Sequence, residues 1–204
     1  MASAATRRIA WLAALVLATL CHAANAQDLD RIGVPGPLTF AGTNYALAWS
    51  SHPQPTYYKQ EYLPPGQSLD HYERMLMVEV LDGGTVAGAA SAKVQSIKAR
   101  KGKDPLANVA AVKNSRRGEI IVDFLLGGRD AQGGEIVEWN AYRYVPFKGA
   151  NGHVGVMLYA ISHRAYGDGI RDFLVRLKTL RPEEIGRIAQ QDLPVPRLAA
   201  VAGR

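Results

Sequence analysis

The chain has 204 residues, of which 48% are hydrophobic and 21% charged, and its formal net charge is +6. This length suits one domain, since domains usually span about 100–200 residues. The ordinary apolar content and the moderate charge exclude a wholly disordered chain, a collagen-like chain and a membrane protein with many spans.

Residues 1–26 have the three parts of a cleavable signal peptide. Arg7 and Arg8 form a positive start, an apolar run of twelve residues covers positions 9–20, and an Ala-Asn-Ala cleavage pattern ends at position 26. The alternative is a membrane anchor, but a helix needs about 20 apolar residues to span a bilayer. We therefore expect cleavage before Gln27 and export to the bacterial periplasm or to the cell exterior.

The only cysteine, Cys21, belongs to the segment that we expect to be removed. A mature chain of residues 27–204 then has no disulfide, no thiolate nucleophile and no cysteine-bound metal. We expect a single domain over residues 27–190. Residues 191–204 contain two prolines and no hydrophobic period, which predicts a flexible C-terminal tail.

Strands predominate in the pattern of the mature chain. Three segments, residues 119–126, 135–147 and 154–163, alternate apolar and polar side chains with a period of two. The short loops between them predict an antiparallel meander. Further short strands are expected at residues 38–41, 45–49, 57–63 and 110–114. Residues 75–81 (MLMVEVL) fit a buried strand, and a helix over residues 68–80 is the alternative.

Two helical regions complete the prediction. The first covers Thr85–Lys101, with Thr85 as its N-cap and apolar side chains at spacings of three and four. The closing helix begins at Asp168, and Pro182 starts a second, short helix that ends near Gln190. Strands packed by segregated helices predict an α+β fold around an antiparallel sheet.

This order of elements, with a helix after Gly83-Gly84 and a closing helix after His163-Arg164, resembles the PsbP/Mog1-like sandwich. The segment from Glu61-Tyr62-Leu63-Pro64 to Met75-Leu76 also resembles secreted bacterial proteins of unassigned function. The resemblance covers residues 38–190 in outline. It implies an α+β sandwich and a role as a binding or assembly accessory, although a fold by itself does not determine function.

The sequence lacks the usual catalytic signatures, including GxSxG, HExxH and the nucleotide-binding glycine motifs. The four histidines of the mature chain, His52, His71, His153 and His163, lie far apart, so no local zinc site is expected. We expect no cofactor and no metal.

One group of titratable residues follows from the loop lengths of the meander. If each loop is centred on its midpoint, Asp123 lies across from Glu138, and Glu138 lies across from His163. Opposed side chains on neighbouring strands have Cβ atoms about 4.5–5.5 Å apart, which suits general acid-base chemistry. The alternative is an ordinary polar sheet face, and a register slip of one residue would break the row.

Three further residues are candidates for ligand binding. Tyr142 is expected across from Tyr159 on the same face as the row. Arg164 could bind an anion beside the N-terminus of the closing helix, and the alternative is a structural Arg that holds Asp168 or a loop carbonyl.

A basic cluster lies at the end of the first predicted helix and just beyond it, at Lys98, Arg100, Lys101 and Lys103, and Arg116-Arg117 adds to it. It could make weak contact with anionic lipid or cell-wall polymers. The cluster has no interleaved aromatic residues, so we expect no nucleic acid as partner.

The sequence therefore favours an exported periplasmic binding or assembly-accessory module without enzymatic activity, whose partner is an envelope protein or a small ligand. The alternative is a small hydrolase or lyase without cysteine that uses Glu138 and His163 as an acid-base pair.

Overall fold

The computed structural model describes residues 30–149 and 152–198. In this part of the chain, one antiparallel sheet of eight strands curls into a half-barrel and two helices pack against it. Strands account for 46% of the described residues and helices for 22%. The expected α+β sandwich is therefore wrong, because the strands extend well beyond their predicted ends and the molecule is mostly antiparallel sheet. The expected signal peptide lies outside the described residues.

The eight strands are β1 (Leu38–Phe40), β2 (Thr43–Gln54), β3 (Tyr57–Leu63), β4 (Arg74–Asp82), β5 (Asn108–Asn114), β6 (Glu119–Arg129), β7 (Glu135–Lys148) and β8 (Val154–Tyr166). Their order across the sheet is β1-β2-β3-β4-β8-β7-β6-β5. The predicted meander of β6, β7 and β8 is confirmed. Residues 75–81 form a strand, as the first interpretation expected, and not the alternative helix, and residues 68–73 form bends and irregular chain.

Helix α1 covers Val86–Lys98, and the Thr85 side chain accepts a hydrogen bond from the Gly88 amide at 3.1 Å. The predicted N-cap is therefore confirmed. The helix ends three residues earlier than expected, and turns occupy the positions from Ala99 to Lys103. Its Ala90 and Ile97 are buried against the sheet.

Helix α2 covers Gly169–Gln190 without interruption. The prediction that Pro182 starts a separate helix is wrong, and Asp168 makes no side-chain capping bond. A proline within a helix removes one main-chain hydrogen bond. Burial of Leu177 before Pro182 and of Ile188 after it holds both halves against the sheet, and such packing is the main source of helix stability in proteins.

Each face of the sheet is covered by a hydrophobic core. On the α2 face, Trp139 of β7 and Phe173 of α2 belong to one core and are 1% and 4% exposed, which confirms the prediction that both are core residues. On the α1 face, Phe124, Tyr142 and Leu158 pack with the buried residues of α1. No large part of the central strands is therefore left as a solvated polar face.

The chain on either side of the helices and strands also contributes to the α2-face core. Ile32 and Leu198 are both buried in it, and the Arg197 amide donates a hydrogen bond to the Ile32 carbonyl. Residues 191–198 thus run along the domain without helix or strand, and the remainder of the expected tail lies outside the described residues.

Candidate functional site

The expected row of Asp123, Glu138 and His163 does not form. Glu138 of β7 pairs with Arg164 of β8, and the next residue of β7, Trp139, pairs with His163. Glu138 and His163 therefore belong to two neighbouring cross-strand pairs and do not face each other. Neighbouring residues on a strand point to opposite faces. Glu138 therefore lies on the α1 face and His163 on the α2 face, and they cannot act as one acid-base pair.

The error arises at the hairpin loops. Strand β6 continues through Gly127 and Gly128 to Arg129, which pairs with Glu135, so the first hairpin is centred farther along the chain than its glycines suggest. Asp123 consequently pairs with Ala141. A slip of any odd number of residues moves a whole strand's side chains to the other face.

The charge of Arg164 is paired with a carboxylate of the neighbouring strand, Glu138 of β7. Its Nε donates to Glu138 Oε2 at 2.8 Å, and its guanidinium lies 3.9 Å from the centre of the Tyr72 ring. Tyr72 Oη donates to the same carboxylate oxygen at 2.8 Å. The structural partner of Arg164 is thus Glu138 and not Asp168, and its charge is not free for an anion at the start of α2.

His163 has a carboxylate neighbour, but it comes from α2. Glu184 Oε2 lies 3.7 Å from His163 Nε2, and both side chains are more than nine-tenths buried. Arg187 donates to the other oxygen of Glu184 at 2.6 Å. Burial opposes the ionisation of Glu184, but the neighbouring His163 and Arg187 outweigh it and lower the pKa of this carboxyl.

The remaining predicted residues are also separated. Asp123 forms an ion pair with Arg181 of α2 and accepts a hydrogen bond from Trp139 Nε1 at 3.4 Å. Tyr142 pairs with Ala160 and belongs to the α1-face core, whereas Tyr159 belongs to the α2-face core. The expectation that the two tyrosines oppose each other is therefore wrong.

A cavity of about 500 Å³ lies between α1 and the sheet, and we call it the α1 cavity. Its sheet side comes from the end of β2 and from β3, β4 and β7, and its helix side comes from α1. The lining consists of Gln54, Thr56, Tyr57, Glu79, Leu81, Asp82, Gly83, Gly84, Ala89, Ala92, Lys93, Ser96 and Tyr144. The helix contributes mainly small side chains, which leave the space open.

A tight turn after β4 forms the rim of the α1 cavity. Gly83 and Gly84 have φ values of 91° and 75°, which L-residues with side chains rarely adopt. The Gly83 amide donates to the Val154 carbonyl at 2.8 Å, and His153 Nδ1 lies 2.6 Å from Asp82 Oδ2. These contacts attach the rim to the β7–β8 hairpin.

Glu79 is the buried acid of the α1 cavity and is 8% exposed. Tyr57 Oη donates a hydrogen bond to its Oε2 at 2.7 Å. Burial raises the pKa of Glu79, and the charges of Lys59 and Lys93 together with the bond from Tyr57 offset only part of this effect. The cavity therefore contains a carboxyl group that holds its proton to a higher pH than usual.

Lys93 is the base of the α1 cavity. Its ammonium nitrogen lies 4.9 Å from the centre of the Tyr142 ring and 5.6 Å from that of Phe124. Within the described residues, no carboxylate oxygen lies within 4 Å of this nitrogen. Burial lowers the pKa of Lys93, and the nearby Glu79 counteracts this in part.

Tyr57, Glu79 and Lys93 were not among the candidate site residues predicted from the sequence. One signal was present, since Glu79 is the single charged residue in the apolar segment of residues 75–81. A charged residue in such a strand has to be paired, protonated or functional. Lys93 carried no comparable signal, because lysine is ordinary on a helix.

A larger cavity, of about 780 Å³, lies between the end of α1 and the start of α2. Arg100 and Lys103 of the basic cluster line it, and Arg100 is engaged with the Gly127 carbonyl and with Asp104. Its charged groups are mostly solvated, whereas the α1 cavity brings together the buried Glu79 and the partly buried Lys93, whose pKa values are both shifted by burial. Titratable groups with shifted pKa values cluster at functional sites. We therefore take the α1 cavity as the candidate site.

Within residues 30–149 and 152–198, no three His, Cys, Asp or Glu side chains come together as a metal site. In the same residues, no helix is long and apolar enough to cross a membrane.

A protein-family model matches residues 32–193, nearly the whole described domain. The chain belongs to that family. The family is uncharacterised, and the match shows no link to PsbP/Mog1-like proteins, so that resemblance stays unconfirmed. No curated protein and no solved structure matches the chain significantly.

Proposed function

We propose that this protein is an exported binding module of the bacterial envelope, without enzymatic activity, and that it holds a small organic ligand in the α1 cavity. The proposal rests mainly on Lys93. Its ammonium group is partly buried, and no carboxylate oxygen of the described residues lies within 4 Å of its nitrogen. A charge removed from water is costly unless it is paired. A bound ligand would supply the missing partner.

The size and lining of the α1 cavity support this function. Ligand pockets typically enclose about 300–1,000 Å³, are mostly apolar and contain a few polar groups that orient the ligand. The α1 cavity has this volume, and Glu79, Lys93 and Tyr57 are its orienting groups. Its lining contains hydroxyl groups but no histidine to activate one as a nucleophile, which favours binding over hydrolysis.

Export is part of the proposal and rests on the pattern of residues 1–26. We further propose that the basic cluster makes weak contact with anionic envelope surfaces. Lys98, Lys101 and Lys103 are exposed, and no carboxylate oxygen lies within 4 Å of their ammonium groups among the described residues. Each such charge near an anionic surface contributes about 1 kcal/mol.

The test is to purify the protein natively from the envelope and to identify released small molecules by mass spectrometry. Ala92→Phe should place a ring at the lining of the α1 cavity, and Ala87→Phe is the control because Ala87 is, like Ala92, an exposed alanine of the same helix but does not line the cavity. A compound should accompany the unaltered protein and the control but not Ala92→Phe. Equal recovery from both variants would contradict a ligand in this cavity.

A further inference from the structure

We infer that the ligand of the α1 cavity is an organic anion, a carboxylate on an apolar chain, with its carboxylate at Lys93 and its chain along the sheet. This inference rests on the proposed function and specifies its ligand. The chemistry of the ligand follows from which charged groups of the cavity already have a partner and which do not.

Lys93 has no anionic partner among the described residues. An ammonium has three donors and no acceptor, and the rings of Tyr142 and Phe124 offer only their faces. Lys59 of β3 differs in this respect, because its Nζ lies 2.7 Å from Glu61 Oε1. The group that Lys93 lacks is therefore a negatively charged oxygen.

Glu79 does not supply that oxygen. It accepts from Tyr57 at 2.7 Å, and its Oε atoms are more than 4 Å from Lys93 Nζ. Burial favours its protonated form, in which it can donate a hydrogen bond. Beside Lys93, a protonated carboxyl can donate a hydrogen bond to an anionic headgroup, and it has no negative charge with which to pair a cationic one.

The apolar part of the lining accounts for the chain. Leu81 lies on the sheet side of the cavity, Ala89 and Ala92 lie on the helix side, and the Tyr144 ring forms part of the wall. Burial of apolar area contributes about 25 cal/mol per Å². An acid with an apolar chain therefore matches both parts of the lining, whereas a small inorganic anion would match only Lys93.

Three probes with the same chain and different headgroups test the inference: octanoate, octanol and octylamine, titrated into the mature protein by calorimetry at pH 6. Octanoate should bind at least ten-fold more tightly than octanol, because bonds to a charged group are stronger than neutral ones. Octylamine should bind more weakly than octanol, because its charge has the same sign as that of Lys93.

Two lysine variants locate the headgroup. Lys93→Gln should reduce octanoate affinity at least ten-fold and leave octanol affinity unchanged, while Lys93→Arg should retain most of the octanoate affinity. Lys113→Gln is the control, because Lys113 is an exposed lysine of β5 outside the cavity lining and outside the basic cluster. Thermal melting confirms that each variant is folded.

The outcomes separate this inference from the proposed function. If octanol binds as tightly as octanoate, or if octylamine binds more tightly than octanoate, the inference of an anionic ligand is overturned. The proposal that the cavity binds a ligand would then still stand. An equal loss of octanoate affinity in Lys93→Gln and Lys113→Gln would overturn the role of Lys93. Failure of all three probes to bind would overturn both the inference and the α1 cavity as the ligand site.

Discussion

His163 Nε2 of β8 and Glu184 Oε2 of α2 lie 3.7 Å apart in the core, and neither atom has a hydrogen-bond partner among the described residues. The sheet contributes one member of the pair and the closing helix the other. Removing one member of a buried pair leaves the other without compensation, which is more costly than losing an exposed ion pair.

We therefore predict that Glu184→Gln lowers the free energy of unfolding at pH 7 by about 3 kcal/mol. The pKa of Glu184 is lowered in the folded state, so its ionised form stabilises the protein above the unfolded pKa of about 4.3, and this contribution is lost as the pH falls through the folded value. Urea denaturation at pH 7 and pH 3 should show the deficit shrinking in acid. Glu183→Gln is the control, because the Glu183 side chain is 59% exposed, and it should change the free energy of unfolding by less than about 0.5 kcal/mol. A deficit that is the same at both pH values would contradict the charge argument.

Glu79→Gln should have the opposite effect. The pKa of Glu79 is raised in the folded state, so the wild-type protein loses stability as the pH rises from the unfolded pKa through the folded value. Glutamine keeps an acceptor for Tyr57 and cannot ionise. The variant should gain stability over the wild type between pH 4 and pH 8 in a series of thermal melts. Glu61→Gln is the control on the neighbouring strand, and a constant difference across the series would show that Glu79 is not held protonated.

Phe173→Ala should reduce the free energy of unfolding by about 3–5 kcal/mol, because it removes a buried aromatic ring from the α2-face core. Val175→Ala, two positions along the same helix at a 60% exposed residue, is the control and should have little effect. Chemical denaturation measures both. Equal, small effects would mean that α2 does not pack through Phe173.

Export predicts a mature N-terminus at Gln27. Mass spectrometry of the protein recovered from the bacterial envelope should give the mass of residues 27–204. Substitution of Ala26 by Arg should leave the longer chain, because signal cleavage requires a small residue at that position. A wild-type protein that still contains Trp11 would contradict the prediction.

Much of the secondary structure could be predicted from sequence because alternation and capping are local properties. The meander, the strand at residues 75–81 and the Thr85 cap all depend on residues close together in the chain. The continuity of α2 through Pro182 could not be predicted, because it depends on packing against strands that are distant in sequence.

The candidate site could not be predicted because it depends on register and on contacts between distant elements. The centre of the β7–β8 hairpin differs by half a residue from the expected one, since Lys148 pairs with Val154, and this is enough to separate Glu138 from His163. Glu184 and Lys93 meet their sheet neighbours only through the placement of the two helices. Neither relationship leaves a local pattern in the sequence.

The contact between Ile32 and the segment ending at Leu198 also has a consequence for the order of folding. The two ends of the described chain meet inside one core, so this core cannot close until Leu198 has been synthesised. Contacts that join such distant positions require a large loop to close and slow folding. The nascent chain therefore remains without this core until a late stage of its synthesis.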